Sequence, residues 1–100
     1  MLLFKAKFLP AIRSGAKTQT IRLWKHRQMR AGQRSYIPGF GPVRITLVEQ
    51  VDLERLTDAD ARPDGFDTAD ELRDELRRLY DGAALAERRA FRVVFEPAVE

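Results

Sequence analysis

Hydrophobic and polar residues alternate along several short stretches of the chain, a pattern that predicts β-strands. The longest stretch is VRITLVEQV, residues 43–51, which is rich in Val, Ile and Thr. Near the end of the chain, Phe91, Val93 and Phe95 alternate with the residues between them. The pattern as a whole predicts five or so strands, in residues 1–6, 17–24, 34–37, 43–51 and 89–98.

Two or three helices are predicted between these strands, because apolar residues there recur with the helical period. A short helix in residues 7–15 ends at Gly15, which suits the position just past a helix C-terminus. The longest helix lies within residues 67–80, where Thr68 and Glu71 fit a capping box and Asp67 is a competing cap. Its buried face is predicted to be the stripe Ala69, Leu72, Leu76 and Leu79.

A mixture of strands and helices without regular alternation predicts an α+β domain built on a small β-barrel of five or six strands. The length suits a single domain covering residues 1–100. The absence of cysteine excludes disulfides and thiolate metal sites. No stretch approaches the roughly 20 apolar residues of a membrane span, and the first residues lack the pattern of a secretory signal. We therefore expect a cytoplasmic protein without a membrane partner, either a monomer or a weak dimer.

Charge is divided unevenly between the two halves of the chain. Residues 1–48 contain ten Lys or Arg and no acid, whereas residues 49–100 contain eight Lys or Arg and fifteen acids. The halves therefore carry +10 and −7, which together give the net charge of +3. A basic half-chain can form a patch that attracts phosphate. Alternatively, its cations pair with the acidic half when the chain folds, and the charge pattern leaves both interpretations open.

The stretch SGAKTQTIR, residues 14–22, contains the most specific motif in the sequence. It resembles the signature of the ASCH superfamily, with Gly15, Lys17, Thr20 and Arg22 at the spacings of the signature. At the third of these positions the superfamily more often has an acid. With DGFDTADEL, LRRLY and FRVVFE later in the chain, the motif resembles the small bacterial ASCH proteins that hydrolyse N4-acetylcytidine. The resemblance implies a PUA-like β-barrel.

The related hydrolases use a Lys–Thr–Glu set, so the resemblance implies catalytic roles for three residues here. Thr20 would attack the amide carbonyl, and Lys17 would take up the hydroxyl proton. Asp64 is the nearest match to the glutamate, with Asp60 as a substitute. Arg22 would hold the developing oxyanion or the ribose. Plainer interpretations remain, since Lys17 can cap helix carbonyls and Asp64 before a glycine is a common turn residue.

Four further residues are candidates for contact with a nucleoside or with RNA. Trp24 and Tyr36 have rings that can stack on a nucleobase, although both can equally serve as packing residues. Lys25 and Arg27 extend the positive charge beyond the motif. No metal and no cofactor is implied.

Two functions are therefore predicted. The first is an amidohydrolase that removes the acetyl group from N4-acetylcytidine or a related acylated nucleoside or base. The alternative is an RNA-binding module of the ASCH, PUA-like type, with or without ribonuclease activity, that lacks amidase chemistry. A lysine acts as a base only when burial or neighbouring cations lower its pKa, so the first function requires a shielded Lys17.

The salt dependence of RNA binding separates these two functions. Neutralising Z phosphates of a single strand gives a log–log slope of about −0.7Z, which is roughly −3 for four contacts. We expect an RNA-binding module to lose affinity for a single-stranded oligonucleotide with this slope, measured by fluorescence anisotropy between about 50 and 200 mM salt. A flat response would indicate a nucleoside pocket instead.

Overall fold

Four antiparallel strands form one sheet in the computed structural model, which describes residues 1–80 and 82–98. The strands are β1 Gln19–Trp24, β2 Arg34–Ile37, β3 Gly41–Val51 and β4 Arg89–Pro97. Their order across the sheet is β1-β4-β3-β2, so β4 pairs with both β1 and β3. A register shift between Ile45 and Leu47 interrupts the ladder of β3 and β4, and the sheet curls into a half-barrel.

The helices lie against this sheet and at its ends. In the described ranges the α-helices are α1 Leu9–Ser14, α2 Asp58–Ala61, α3 Ala69–Leu79 and α4 Gly82–Glu87. A 3₁₀ turn, Arg62–Asp64, directly follows α2. Helix α3 begins where the Thr68 hydroxyl accepts a hydrogen bond from the Glu71 N–H. No helix in residues 1–80 or 82–98 is long and apolar enough to cross a membrane.

The sheet separates two clusters of buried apolar residues. The larger cluster contains Ile45, Val93 and Trp24 among its members. In the other, Leu72 of α3 packs with residues of β1 and β4, including Ile21, Leu23 and Ala90. Because side chains alternate along a strand, Thr20 and Arg22 project from the opposite face of β1 to Ile21 and Leu23.

The α+β class and the positions of four strands agree with the sequence prediction, but the number of strands does not. Residues 1–5 form no strand, although Leu2 is buried and its N–H donates to the carbonyl of Tyr36 at 2.9 Å. No ladder follows from that contact, because β2 ends at Ile37, just before a proline, and a 3₁₀ turn already begins at Ala6. The predicted five or six strands are therefore four in the described residues. The helices are more numerous than predicted, because α4 was not expected.

Ile45 and Leu47 provide a matched test of the core, because they lie two residues apart in β3 but differ in burial. Ile45 is 0% exposed and Leu47 is 40% exposed. Ile45→Ala leaves a cavity and is expected to lower the free energy of unfolding by about 2–5 kcal/mol. Leu47→Ala is expected to lower it by about 1 kcal/mol at most. Urea unfolding followed by Trp24 fluorescence measures both, and equal losses would contradict this packing.

Candidate active site

A cleft of about 350 Å³ lies beside β1, between the N-terminal segment and α3. This volume is within the usual range of small-molecule sites. Most of the lining is apolar. The charged and hydroxyl groups that face it include Lys17, Thr20, Arg22, Asp64 and Glu75.

Backbone contacts hold Lys17 at one wall of the cleft. Gly15, with φ of 83°, ends α1 in the left-handed conformation. The Lys17 N–H then donates to the carbonyl of Ala11 at 3.0 Å, and the Thr18 N–H donates to the carbonyl of Pro63 at 2.8 Å. The second bond ties the entry of β1 to the 3₁₀ turn that ends at Asp64.

Lys17 and Asp64 form a buried ion pair at this junction. The Nζ of Lys17 donates to Oδ1 of Asp64 at 2.7 Å and to the backbone carbonyl of the same residue. The two side chains are 2% and 3% exposed. The Nζ also lies 4.9–5.8 Å from the ring centres of Phe4, Phe8 and Phe66. Such cation–π contacts stabilise an ammonium that has lost its water.

Burial moves the pKa values of both partners toward their neutral forms. It lowers the pKa of Lys17, against the attraction and hydrogen bond of Asp64, and the charge of Arg22 lowers it further. Burial likewise raises the pKa of the Asp64 carboxyl, against the opposing effect of Lys17. A proton that moves along the hydrogen bond converts the ion pair into a neutral amine and a neutral carboxyl without changing net charge. The geometry can therefore supply a lysine base.

The second carboxylate oxygen of Asp64 lacks a protein partner. Oδ2 is buried and accepts no hydrogen bond from the residues that the structure describes. The Gln19 side chain and the Ile21 N–H face this carboxylate and moderate its raised pKa, but neither bonds to Oδ2. Asp64 lines the cleft, but Oδ2 has no contact with solvent, so a bound ligand can donate to this oxygen only after the side chain rotates.

Thr20 and Arg22 meet on one face of β1, as the alternation along the strand predicts. The Nε of Arg22 donates to Oγ1 of Thr20 at 3.1 Å. Its Nη2 donates to the carbonyl of Leu3, and its guanidinium lies 4.8 Å from the ring centre of Phe4. Because Oγ1 accepts from Arg22, the hydroxyl proton of Thr20 can be donated elsewhere. The hydrogen bonds of the described residues include none between Thr20 and Lys17, so proton transfer between them requires a water or a side-chain rotation.

Of the two acids considered for the third role, the structure brings Asp64 and not Asp60 to Lys17. Asp60 caps α2, where its Oδ2 accepts from the N–H of Thr57 at 2.8 Å. Its Oδ1 accepts from Nη2 of Arg92 at 3.0 Å. Asp60 is absent from the cleft lining.

The two aromatic candidates lie away from the cleft. Trp24 is 8% exposed and packs in the core, with its ring centre 5.3 Å from that of Phe91. Tyr36 is half exposed on β2, at the opposite edge of the sheet from β1. The rings that do line the cleft are those of Phe4, Phe8, Phe66 and Tyr80. No helical or strand period in the sequence could have identified these rings, although Phe66 lies only two residues after the candidate Asp64.

The two cationic candidates are also outside the cleft. Lys25 pairs with Glu87 at 3.5 Å on the surface. Arg27 donates through Nη1 to the carbonyl of Val48 at 2.7 Å. Lys5, Lys7, Lys17 and Lys25 all contact acids of the second half of the chain. Folding therefore pairs part of the basic half with the acidic half.

Glu75 is a cleft residue that the sequence interpretation missed. It is 5% exposed, and its carboxylate contacts Lys5, Lys7 and Arg78. Its position in the sequence could have identified it, because a residue three positions after Leu72 lies on the same helical face as the apolar stripe. A charged residue inside an apolar stripe marks a candidate site.

Removing either partner of the buried pair is expected to give opposite pH dependences of stability. In Lys17→Met, Asp64 stays buried without its ammonium, so its folded pKa is raised and the folded state binds more protons. The free energy of unfolding then falls as pH rises above about 4, the unfolded value. In Asp64→Asn, Lys17 keeps a lowered pKa and the unfolded state binds more protons. The free energy of unfolding then rises as pH increases toward about 10.4.

Urea unfolding at a series of pH values measures how the free energy of unfolding changes with pH. The double variant Lys17→Met/Asp64→Asn shows the part of that pH dependence that comes from all other titrating groups. Each single variant is expected to lose on the order of 3 kcal/mol near pH 7, because an uncompensated buried charge remains. The double variant should lose less than the sum. Slopes of the same sign in the two single variants would show that the pair is not shielded from water.

No protein-family model matches the chain, and no curated protein matches it in sequence. Among solved structures it is similar to the hypothetical protein PH0355, at 19% identity and a TM-score of 0.79, over 96% of this chain and 95% of that one. It is also similar to EF3133 from Enterococcus faecalis V583, of family DUF984, at 19% identity and a TM-score of 0.72, over 92% of this chain and 67% of that one. Likeness at this identity shows the fold alone, that of a small α+β domain with a curled antiparallel sheet.

Proposed function

We propose that the chain is an amidohydrolase of the ASCH, PUA-like type that removes the acetyl group from N4-acetylcytidine or a related acylated nucleoside. The proposal rests on one observation. The buried pair of Lys17 and Asp64 lines the same cleft as the Thr20 hydroxyl, which accepts a hydrogen bond from Arg22. A base, a hydroxyl nucleophile and a cation are the groups that acyl transfer requires.

The first half of the reaction transfers the acyl group to the protein. Oγ1 of Thr20 attacks the amide carbonyl carbon, and its proton passes to the neutral amine of Lys17 through a water or after a side-chain rotation. The carbonyl oxygen becomes an oxyanion, which the guanidinium of Arg22 stabilises. When the C–N bond breaks, Lys17 returns the proton to the exocyclic amine of cytidine, and an acetyl-threonine ester remains.

The second half restores the protein. A water attacks the ester carbonyl, and Lys17 takes up its proton as before. The C–O bond to Oγ1 then breaks, Lys17 returns its proton to Oγ1, and acetic acid leaves and ionises in the solvent. The same base therefore acts in both halves, and no external reactant besides water is needed.

Asp64 has two functions in this scheme. Its Oδ1 accepts the proton that Lys17 must lose before it can act as a base, over a hydrogen bond of 2.7 Å. Its Oδ2, buried and unbonded within the described residues, can accept the N–H of the substrate amide after a rotation of the side chain. A side chain one methylene longer is not required, because the 3₁₀ turn brings the backbone of Asp64 within hydrogen-bond reach of Lys17.

The dimensions of the cleft favour a nucleoside over an RNA strand. Its volume is about 350 Å³, near the lower limit of small-molecule sites. Of the five residues predicted to bind substrate or RNA, Arg22 lines the cleft, whereas Trp24, Lys25, Arg27 and Tyr36 do not. RNA binding as the principal function would therefore require a different surface of the domain.

Substitution of Thr20 and Lys17, singly and together, tests the scheme. Thr20→Ala removes the attacking oxygen, and Lys17→Ala leaves the hydroxyl proton without an acceptor. Each is expected to lower kcat on N4-acetylcytidine by a factor on the order of 10³ or more, and the double variant should be little worse than either. Cytidine release is followed by absorbance, with thermal melting of each variant as a check on folding.

Two conservative variants make this test specific. Thr20→Ser keeps the hydroxyl and is expected to retain measurable activity. Lys17→Arg keeps the charge but cannot be deprotonated, so it should be as inactive as Lys17→Ala. Full activity of Thr20→Ala would exclude the covalent scheme and indicate that Lys17 activates a water directly. Failure of the unsubstituted protein to release cytidine would contradict the proposed function itself.

A further inference from the structure

Glu75 is a charged residue on the apolar face of α3, and the proposed reaction does not use it. It lies beside Leu72 and Leu76 and is 5% exposed. Its side chain lines the same cleft as Lys17 and Thr20. A residue that served only for packing at this position would be apolar, because a buried carboxylate costs free energy unless it is paired.

Three cations contact the carboxylate of Glu75, and one of them, Lys5, also lines the cleft. The Nζ atoms of Lys7 and Lys5 lie 3.1 Å and 3.5 Å from Oε1, and Nη2 of Arg78 lies 3.5 Å from Oε2. These cations are more than half exposed, whereas the Glu75 side chain is 7% exposed. The hydrogen bond of Lys7 is the main cause of a lowered pKa of Glu75, so the carboxylate is ionised at neutral pH.

An ionised carboxylate accepts hydrogen bonds and cannot donate them, and its two oxygens accept about four. Lys5 lines the cleft and donates to Oε1 at 3.5 Å, whereas Lys7 and Arg78 do not line it, so inside the cleft one cation already contacts the carboxylate. Among the described lining residues, the acidic side chains are Asp64 and Glu75, and Asp64 is engaged with Lys17. Glu75 is therefore the carboxylate left for donors on the part of the substrate that does not react.

We infer that Glu75 is a specificity-determining residue: it accepts hydrogen bonds from the ribose hydroxyls of the acylated nucleoside and, by neutralising Lys5 and Lys7, keeps phosphate out of the cleft. The inference rests on the proposed function. Carboxylates recognise ribose hydroxyls in the same way in dinucleotide sites. A site that bonds a hydroxyl discriminates against an analogue that lacks it, because that hydrogen bond is then not made, although Lys5, Lys7 and Arg78 still contact the carboxylate. The same negative charge repels a phosphate, although two lysines lie beside it.

Three substrates and two variants test this role. N4-acetylcytidine is compared with the free base N4-acetylcytosine, which keeps the amide N–H but has no hydroxyl, and with N4-acetylcytidine 5′-monophosphate. Glu75→Gln is expected to lower the ratio of kcat/KM for the nucleoside over that for the base by about tenfold, mainly through KM. It should also raise kcat/KM for the monophosphate relative to that for the nucleoside, because Lys5 and Lys7 are then no longer neutralised by a carboxylate.

Matched variants keep the result interpretable. Asp74→Asn removes the neighbouring acid, which is 65% exposed and pairs with Arg77, and should leave both ratios as in the unsubstituted protein. Glu75→Leu completes the apolar stripe of α3 and should fold even if Glu75→Gln does not. Unchanged ratios in either folded Glu75 variant would overturn the inference.

A binding measurement separates this inference from the proposed function. If the unsubstituted protein hydrolyses none of the three substrates, the proposed function fails, but calorimetric binding of cytidine and cytosine still tests Glu75. Preferential binding of cytidine that is lost in Glu75→Gln would support the role of Glu75. Equal binding of the nucleoside and the base, or a preference that persists in the variant, would overturn it.

Discussion

The buried hydrogen bond between Lys17 and Asp64 is the contact on which the cleft depends, because it joins two chain segments 47 residues apart. Taking an ammonium out of water is costly, and one carboxylate rarely compensates for that cost. Here the Nζ also donates to a backbone carbonyl and lies among three phenylalanine rings. The next residue, Gly65, has φ of 97°, and a Cβ there would lie 3.6 Å from Cδ of Lys17. The contact with Asp64 therefore contributes both to the wall of the cleft and to the buried environment of Lys17.

Helices and strand faces that follow a short repeat of apolar residues could be predicted from the sequence. Features that depend on a contact with a residue far away in the sequence could not. The stripe of α3 identified that helix, although Leu79, predicted to be buried, is 49% exposed. Alternation placed Thr20 and Arg22 on one face, where the structure joins them by a hydrogen bond. Residues 1–6 have the apolar composition of a strand, and Leu2 is indeed buried. Whether such a segment forms a ladder depends on the length of the neighbouring strand, and β2 is too short to continue one. Helix α4 was missed because its six residues contain no full apolar period.

The site itself was predicted in part for the same reason. Lys17, Thr20 and Arg22 lie within one motif, and their short separation brings them together in the fold. Asp60 and Asp64 are chemically identical and four residues apart, so sequence could not choose between them. The choice depends on local geometry, since Asp60 is occupied in capping α2 while Asp64 ends the turn that faces Lys17. Alternation also places Trp24 on the face of Thr20, but core packing covers that end of the strand.

Strand β4 follows the other strands in the chain, yet it lies between β1 and β3. While the protein is being synthesised, β1 therefore has no partner strand until residues 89–97 have left the ribosome. For that interval its backbone edge and its apolar residues Ile21 and Leu23 are open to contact with other chains. The motif of residues 14–22 is among the first parts to be translated, but the sheet that positions it is completed among the last. A chain that stops before residue 89 contains the motif without the strand that holds it in place.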